Sequence, residues 1–139
     1  MKLKSAVAGM TVNLLLLSPF AFAANKTFTY KNTRGSELTL QFSADHSLTG
    51  TFTTAVASKE CQQAIGMKRP IIGYTAKNSI TFSVNYPDCG SVVTFIGNVE
   101  NNKKLIDTTA LVAHPSSQIA KEGPGARMIC HDVFTRIEM

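Results

Sequence analysis

The last β-like stretch of the chain places one acidic side chain among apolar neighbours. Alternate residues of a strand share a face, so Met128, Cys130, Asp132 and Phe134 point to the same side. A carboxylate on an apolar face is costly to bury unless it accepts hydrogen bonds from buried partners or from a ligand. Asp132 is therefore the first candidate for a residue that binds something.

Other strand-like stretches also mix polar and apolar side chains on one face. Thr54 lies between Phe52 and Val56, and Ser91 precedes Val93. Antiparallel strands would collect five polar side chains at one end of the fold, namely Asn32, Ser36, Thr54, Ser91 and Asp132. Fixed hydrogen-bonding groups in an apolar cup suit a small, neutral molecule with a polar head. Taken singly, each could instead cap a strand or face water in a loop.

Catalysis and metal binding find less support. Cys130, His131 and Asp132 are consecutive on a strand, so His131 faces away from its neighbours and forms no acid–base pair or activated nucleophile with them. A zinc site made by Cys130, His114 and His131 would lack the usual ligand spacing. The sequence predicts a binding protein with no catalytic residues, metal or cofactor.

Eight short runs rich in Thr, Val, Ile, Phe and Tyr must position these side chains. Turn residues separate the runs, and no stretch beyond the N-terminal segment has the apolar spacing of a helix. The runs cover residues 27–32, 38–42, 48–57, 70–76, 79–86, 92–99, 105–113 and 127–137. They predict an all-β fold, an eight-stranded antiparallel up-and-down β-barrel, which hides its strand edges and has room for one small ligand.

The first 23 residues have the pattern of a cleaved secretory signal. Lys2 and Lys4 precede an apolar run that ends in Ala-Phe-Ala at residues 21–23, small residues of the kind a signal peptidase recognises. A retained anchor helix is the competing interpretation, but the run is short for a span and contains Asn13 and Pro19. We expect a barrel domain over residues 24–139 that is secreted or periplasmic, without membrane attachment after cleavage.

Composition bounds the possible partners. The chain has 139 residues, 44% hydrophobic and 17% charged, which suits one folded domain rather than a disordered segment. Its formal charge of +5 falls to +3 when Lys2 and Lys4 are removed, too little to predict a nucleic-acid partner. The chain contains no Trp.

The three cysteines divide into two kinds. Cys61 and Cys89 lie in polar, turn-like stretches, and we expect them to pair in an oxidising compartment. The bond would close a loop of about 28 residues and stabilise the fold by about 3–4 kcal/mol. Cys130 lies in a hydrophobic run and is predicted to be a buried free thiol.

Five segments in the expected order resemble the avidin and streptavidin family. Residues 30–36 (YKNTRGS) resemble its first hairpin and residues 48–56 its third strand. Residues 80–86 and 91–97 resemble its fifth and sixth strands, and residues 130–136 (CHDVFTR) its last. The resemblance extends over nearly the whole chain after the signal, and it implies biotin as the ligand.

Five residues match the polar biotin contacts of that family. The resemblance implies that Asn32 and Ser36 hold the ureido oxygen and that Asp132 and Thr54 each accept a ureido N–H. It also implies that Ser91 lies near the valeryl carboxylate.

The apolar walls depart from the family pattern. Phe52 replaces a tyrosine and Val93 a threonine, while Tyr86, Ala110 and a residue near Pro124 replace three Trp. These replacements would reduce the binding free energy by roughly 6–9 kcal/mol. Subtracted from the noncovalent ceiling of about −18 to −21 kcal/mol, this loss would leave a nanomolar to micromolar dissociation constant.

Two alternatives stay open about the ligand. Space near Phe28, Phe95 and Ala110 could take a bulkier molecule, such as a biotin derivative or a peptide. The barrel could also be an exported inhibitor that binds a protein partner through its loops.

The predicted disulfide resembles that of the dimeric bacterial avidins, and it favours a homodimer. A tetramer remains possible, because four outward residues lie on the face that family members use for pairing, namely Thr109, Ile129, His131 and Val133.

Overall fold

A computed structural model describes residues 25–115 and 125–138, which form eight strands and two short 3₁₀ helices. The strands are β1 Lys26–Asn32, β2 Glu37–Phe42, β3 Ser47–Thr53, β4 Lys68–Ala76, β5 Ser79–Tyr86, β6 Ser91–Val99, β7 Leu105–His114 and β8 Ala126–Arg136. The 3₁₀ helices are Lys59–Ala64 and Pro87–Cys89. The predicted signal segment and Pro124 lie outside the described residues.

The eight strands close into one barrel. Each strand pairs antiparallel with the next, and β8 returns to β1 through the register pairs Tyr30 with Arg136 and Asn32 with Phe134. The predicted up-and-down β-barrel is therefore confirmed. Because each of the eight described strands has two hydrogen-bonded neighbours, none of them has an edge left for pairing with another chain.

The third strand is shorter than predicted. It ends at Thr53, and the Thr54 hydroxyl donates to the Val56 carbonyl at 2.6 Å and accepts from the Val56 amide at 3.3 Å, which turns the chain. Val56 is therefore exposed and does not continue the buried face of Phe52, contrary to the alternation in the sequence. The 3₁₀ helices were not predicted, because six and three mostly polar residues carry no apolar period.

Within the described ranges no helix has the length and apolar content needed to cross a bilayer.

Four aromatic rings in mutual contact form a floor across the barrel. Phe82 and Phe95 stack at a centroid distance of 4.7 Å, and Phe52 and Phe134 pack against Phe95 at 5.4 and 5.5 Å. Below this floor the interior is filled by fully buried side chains, including Tyr30, Leu38, Leu40, Leu48 and Ile106. Above it the barrel is hollow, so the rings separate a packed half from an open half.

The packed half ends in a cluster that we call the closed end, made of Phe28, Phe42, Lys103 and Arg136. The two rings meet edge to face at 5.8 Å. The Lys103 ammonium lies 4.7 Å from the Phe42 ring, and the Arg136 guanidinium lies 4.5 Å from the Phe28 ring. The expectation that Phe28 borders the ligand space was wrong, because Phe28 lies four residues before Asn32 along β1.

Candidate functional site

A cavity of about 720 Å³ occupies the open end of the barrel. This volume lies within the range of about 300–1,000 Å³ that is typical of small-molecule sites. The cavity is lined by all ten residues predicted for ligand binding, namely Asn32, Ser36, Phe52, Thr54, Tyr86, Ser91, Val93, Phe95, Ala110 and Asp132. The strand periodicity and the closure of the barrel thus bring together side chains from six strands and two adjoining loops.

Asp132 offers a buried acceptor to this cavity. Its side chain is 5% exposed, and its Oδ2 accepts a hydrogen bond from Asn32 Nδ2 at 2.9 Å. The other oxygen, Oδ1, is buried and has no hydrogen-bond partner among the described residues. A lone buried acceptor costs roughly 1–3 kcal/mol, which a ligand donor would recover.

Asn32 and Ser36 present donors from the turn between β1 and β2. Asn32 Oδ1 accepts the backbone N–H groups of Ser36 at 2.8 Å and Arg34 at 3.1 Å, so its oxygen is used within the turn. One Nδ2 hydrogen goes to Asp132 and leaves the second for a ligand. Ser36 Oγ accepts from the Ala55 amide at 3.0 Å, so the Ser36 hydroxyl hydrogen also remains available.

Thr54 and Ser91 present lone pairs instead. The Thr54 hydroxyl donates to the Val56 carbonyl, so it can only accept from a ligand. The Ser91 hydroxyl donates to the Cys89 carbonyl at 3.2 Å. In this conformation Ser91 therefore has no hydrogen to give to a ligand carboxylate, and that predicted contact requires the hydroxyl to rotate.

Four of these residues form a set that we call the polar cup, consisting of Asn32, Ser36, Thr54 and Asp132. Asn32 and Ser36 supply donors, and Thr54 and Asp132 supply acceptors. This combination complements a group that carries an acceptor oxygen together with two N–H donors. The arrangement therefore suits binding through hydrogen bonds.

Tyr86 contributes a hydrophobic wall and an unsatisfied hydroxyl. Its side chain is 7% exposed, and its Oη is buried with no partner among the described residues. Burial raises the pKa of Tyr86 to about 12, although the nearby Arg69 guanidinium acts in the opposite direction. The hydroxyl therefore stays protonated at neutral pH, as a donor.

A disulfide stabilises the rim of the cavity. Cys61 and Cys89 are bonded with their Cα atoms 5.5 Å apart, which confirms the predicted pair and joins the two 3₁₀ helices. Cys130 is the free cysteine, but it is half-buried and lines the cavity rather than lying within the core.

The mouth also includes two residues that the sequence did not single out, namely Arg34 in the turn after β1 and Glu60 in the first 3₁₀ helix. Periodicity could not have identified them, because they lie in or next to turns whose course depends on the fold.

The residues of the competing zinc hypothesis do not converge. His131 lies outside the barrel, where its Nε2 is 2.6 Å from Asp107 Oδ1. Over residues 25–115 and 125–138, no three side chains of the metal-ligating types lie close enough together to hold an ion.

A closed eight-stranded barrel with a polar cup at one end belongs to the class of small-molecule-binding β-barrels. The sequence profile of the Avidin family matches residues 21–137, and the chain belongs to this family. No curated protein sequence matches it significantly.

Several solved avidins have the same fold. Intact afifavidin in its apo form is 26% identical with a TM-score of 0.68, over 81% of this chain and 82% of that one. The short afifavidin–biotin complex is 25% identical with a TM-score of 0.63, over 80% and 88%. The bradavidin2–biotin complex is 24% identical with a TM-score of 0.67, over 80% and 96%, and supports the fold alone.

Proposed function

We propose that this protein binds biotin in the open-end cavity and catalyses no reaction. The main support is Asp132 Oδ1, a buried acceptor with no partner in the described part of the chain, on a side chain that is hydrogen-bonded to Asn32. The polar cup complements a cyclic urea, whose oxygen accepts from Asn32 and Ser36 while its two N–H groups donate to Thr54 and Asp132. Family membership and the biotin complex of short afifavidin support the same ligand.

The walls of the cavity support weaker binding than the best noncovalent complexes show. Phe52 gives the ureido oxygen no third donor, and Ala110 offers a methyl group where the family resemblance implies a large ring. Truncating a buried aromatic anchor costs about 2 kcal/mol or more, and a lost buried hydrogen bond about 1–3 kcal/mol. We expect a dissociation constant between about nanomolar and micromolar.

Calorimetry of the oxidised protein with biotin tests this function. Asp132→Asn keeps the shape of the side chain but replaces one acceptor oxygen with an NH₂ group. Either Asn32 Nδ2 or the ligand N–H then loses its acceptor, so binding should weaken by about 2 kcal/mol, or about thirtyfold. Asp107→Asn is the matched control, because Asp107 lies outside the barrel and should not affect affinity. Absence of heat and of thermal stabilisation at millimolar biotin would contradict the proposal, as would equal effects of the two variants.

A second candidate ligand is a larger molecule with the same head group. The volume of about 720 Å³ and the small Ala110 side chain favour it. Binding of an amide-linked biotin derivative at least tenfold tighter than free biotin would select this candidate.

We propose a homodimer formed through the outside of the barrel. The exposed apolar side chains of Ile72, Tyr74, Ile96, Leu111 and Ile129 form an outer apolar face. Leu111 on β7 is the register partner of Ile129 on β8 and of Thr94 on β6, so the three residues lie in one row across the sheet. Burying this face against a second copy would remove apolar surface from water.

Light scattering with gel filtration at micromolar concentration tests the assembly. Ile129→Lys should convert a dimer to a monomer, whereas Thr27→Lys, at an exposed polar position on β1 opposite Gln41, should not. A monomeric mass for the unchanged protein would contradict the homodimer.

We also propose export through the segment 1–23 to a secreted or periplasmic location. N-terminal sequencing of the exported chain should begin at Ala24.

A further inference from the structure

Cys130 is a thiol inside the candidate ligand site. It is the one cysteine of three outside the disulfide, it is half-buried, and it lines the cavity. Its register partner on β7 is Ala110, a small residue that lines the same cavity. A small molecule that enters the cavity can therefore reach Cys130.

An independent feature indicates what such a molecule should carry. Asp132 lies two residues further along the same face of β8 and is 5% exposed, and its Oδ1 has no partner among the residues that the structure describes. A strand rises about 3.3 Å per residue, so the two side chains leave the backbone roughly 6–7 Å apart. An amine two carbons from a sulfur bonded to Cys130 spans this separation when a hydrogen bond to Oδ1 is included.

We propose that Cys130 is a modification site that forms mixed disulfides with low-molecular-weight disulfides bearing an amine. The Cys130 thiolate attacks one sulfur of the incoming disulfide, the S–S bond of that molecule breaks, and its other half leaves as a thiolate. The new S–S bond holds the aminothiol in the cavity, where its ammonium donates to Asp132 Oδ1. The small disulfide is itself the oxidant, and its released half is the reduced product.

Modification would also regulate the cavity. An aminothiol attached to Cys130 occupies the acceptor on Asp132 that biotin is proposed to use, so the two ligands exclude each other. This regulatory part rests on the proposed function, whereas the modification itself does not.

The rate of modification, followed by intact mass spectrometry at about pH 8, tests the site. The probes are cystamine, which carries amines, and bis(2-hydroxyethyl) disulfide, which is neutral. Cys130→Ser should gain no adduct. Ser79→Cys in the Cys130→Ser background supplies an exposed thiol on β5. For each probe, the rate at Cys130 is divided by the rate at this exposed thiol, which corrects for the intrinsic reactivity of the probe.

We expect the corrected rate with cystamine to exceed that with the neutral disulfide by about tenfold, because the bond to a carboxylate is charge-assisted. Asp132→Asn should reduce this ratio to near one. A Cys130 that reacts only after unfolding would overturn the modification site. Equal corrected rates for the two probes would overturn the preference for amines.

Biotin provides the final arm of the experiment. Saturation with biotin, established by calorimetry on the same sample, should slow modification at least tenfold. Binding of biotin without protection would overturn mutual exclusion. If biotin does not bind at all, adduct formation with cystamine still tests the modification site, so the two proposals fail separately.

Discussion

The two ends of the barrel each bury a tyrosine but differ in how their polar atoms are satisfied. At the closed end, Lys103 and Arg136 lie over aromatic rings, and the Tyr30 hydroxyl donates to the Lys103 carbonyl at 3.0 Å. At the open end, Tyr86 Oη and Asp132 Oδ1 are buried, and neither has a partner within residues 25–115 and 125–138. At the closed end the tyrosine hydroxyl is satisfied by a group of the described chain, whereas at the open end two buried polar atoms are left for a ligand to bind.

Burial alone does not distinguish the ends. Desolvation raises the pKa of both Tyr30 and Tyr86 to about 12, and in each case a nearby arginine opposes the shift. The difference lies in the hydrogen bond of Tyr30, so the two tyrosines form a matched pair within one molecule.

Loss of the disulfide should have the largest effect, and it acts at the open end. In Cys61→Ser/Cys89→Ser, the loop of 28 residues is no longer closed in the unfolded state, so the free energy of unfolding should fall by about 3–4 kcal/mol. Urea denaturation measures this change. Cys130→Ser is the control and should cost less than about 1 kcal/mol. A double variant as stable as the parent would show that the rim does not depend on the bond.

Alkaline pH should destabilise both ends. The folded-state pKa of each buried tyrosine exceeds its ordinary value of 10.0, so the neutral phenol is favoured in the folded protein. The associated stability is fully present below about pH 10 and is lost as the pH rises through about 12, by roughly 2–3 kcal/mol per tyrosine. Denaturation at several pH values, compared with Tyr30→Phe and Tyr86→Phe, measures it. Each variant should lose part of the pH dependence, and unchanged profiles would contradict the assignment.

At neutral pH the same two substitutions should separate the ends. Tyr30→Phe removes a satisfied hydrogen bond and should lower the free energy of unfolding by about 1–2 kcal/mol. Tyr86→Phe removes a hydroxyl that has no partner, so it should be neutral or slightly stabilising. Thermal and urea unfolding of both variants provide the measurement. Equal losses would remove the distinction between the ends.

A smaller effect is expected from restoring a donor at the open end. Phe52→Tyr adds a hydroxyl to a ring that lines the cavity, and it should tighten biotin binding by about 1 kcal/mol, or about fivefold. Phe82→Tyr, placed in the floor behind the cavity, is the control and should not improve affinity. Unchanged binding by Phe52→Tyr would mean that the added hydroxyl does not reach the ligand.

The period-two pattern of the sequence predicted most of the fold and the location of the site. The runs at 79–86 and 105–113 match β5 and β7 closely, and the inward faces through Asp132 and Phe95 are as expected. Alternation specifies which face a residue occupies, but not where the strand stops or how far along it a residue lies. Val56 and Phe28 were misplaced for these reasons.

The satisfaction of individual polar atoms could not be predicted from the sequence. Whether the Tyr86 hydroxyl has a partner depends on distances between segments far apart in the chain. Whether the Ser91 hydroxyl donates to the Cys89 carbonyl two residues earlier depends on the local turn and on the Ser91 side-chain rotamer. The cavity position of Cys130 likewise depends on how the closed barrel leaves one end hollow. Hydrophobic runs indicate burial, but they do not distinguish a packed interior from the wall of a cavity.

The aromatic floor has a kinetic consequence. Phe52, Phe82, Phe95 and Phe134 block passage through the barrel, so a ligand must leave through the mouth by which it entered. Substitutions that only narrow or widen that mouth change the rates of entry and escape by the same factor and leave the equilibrium constant unaltered. Residence time in this barrel is therefore adjustable at its rim, independently of the contacts that hold the ligand.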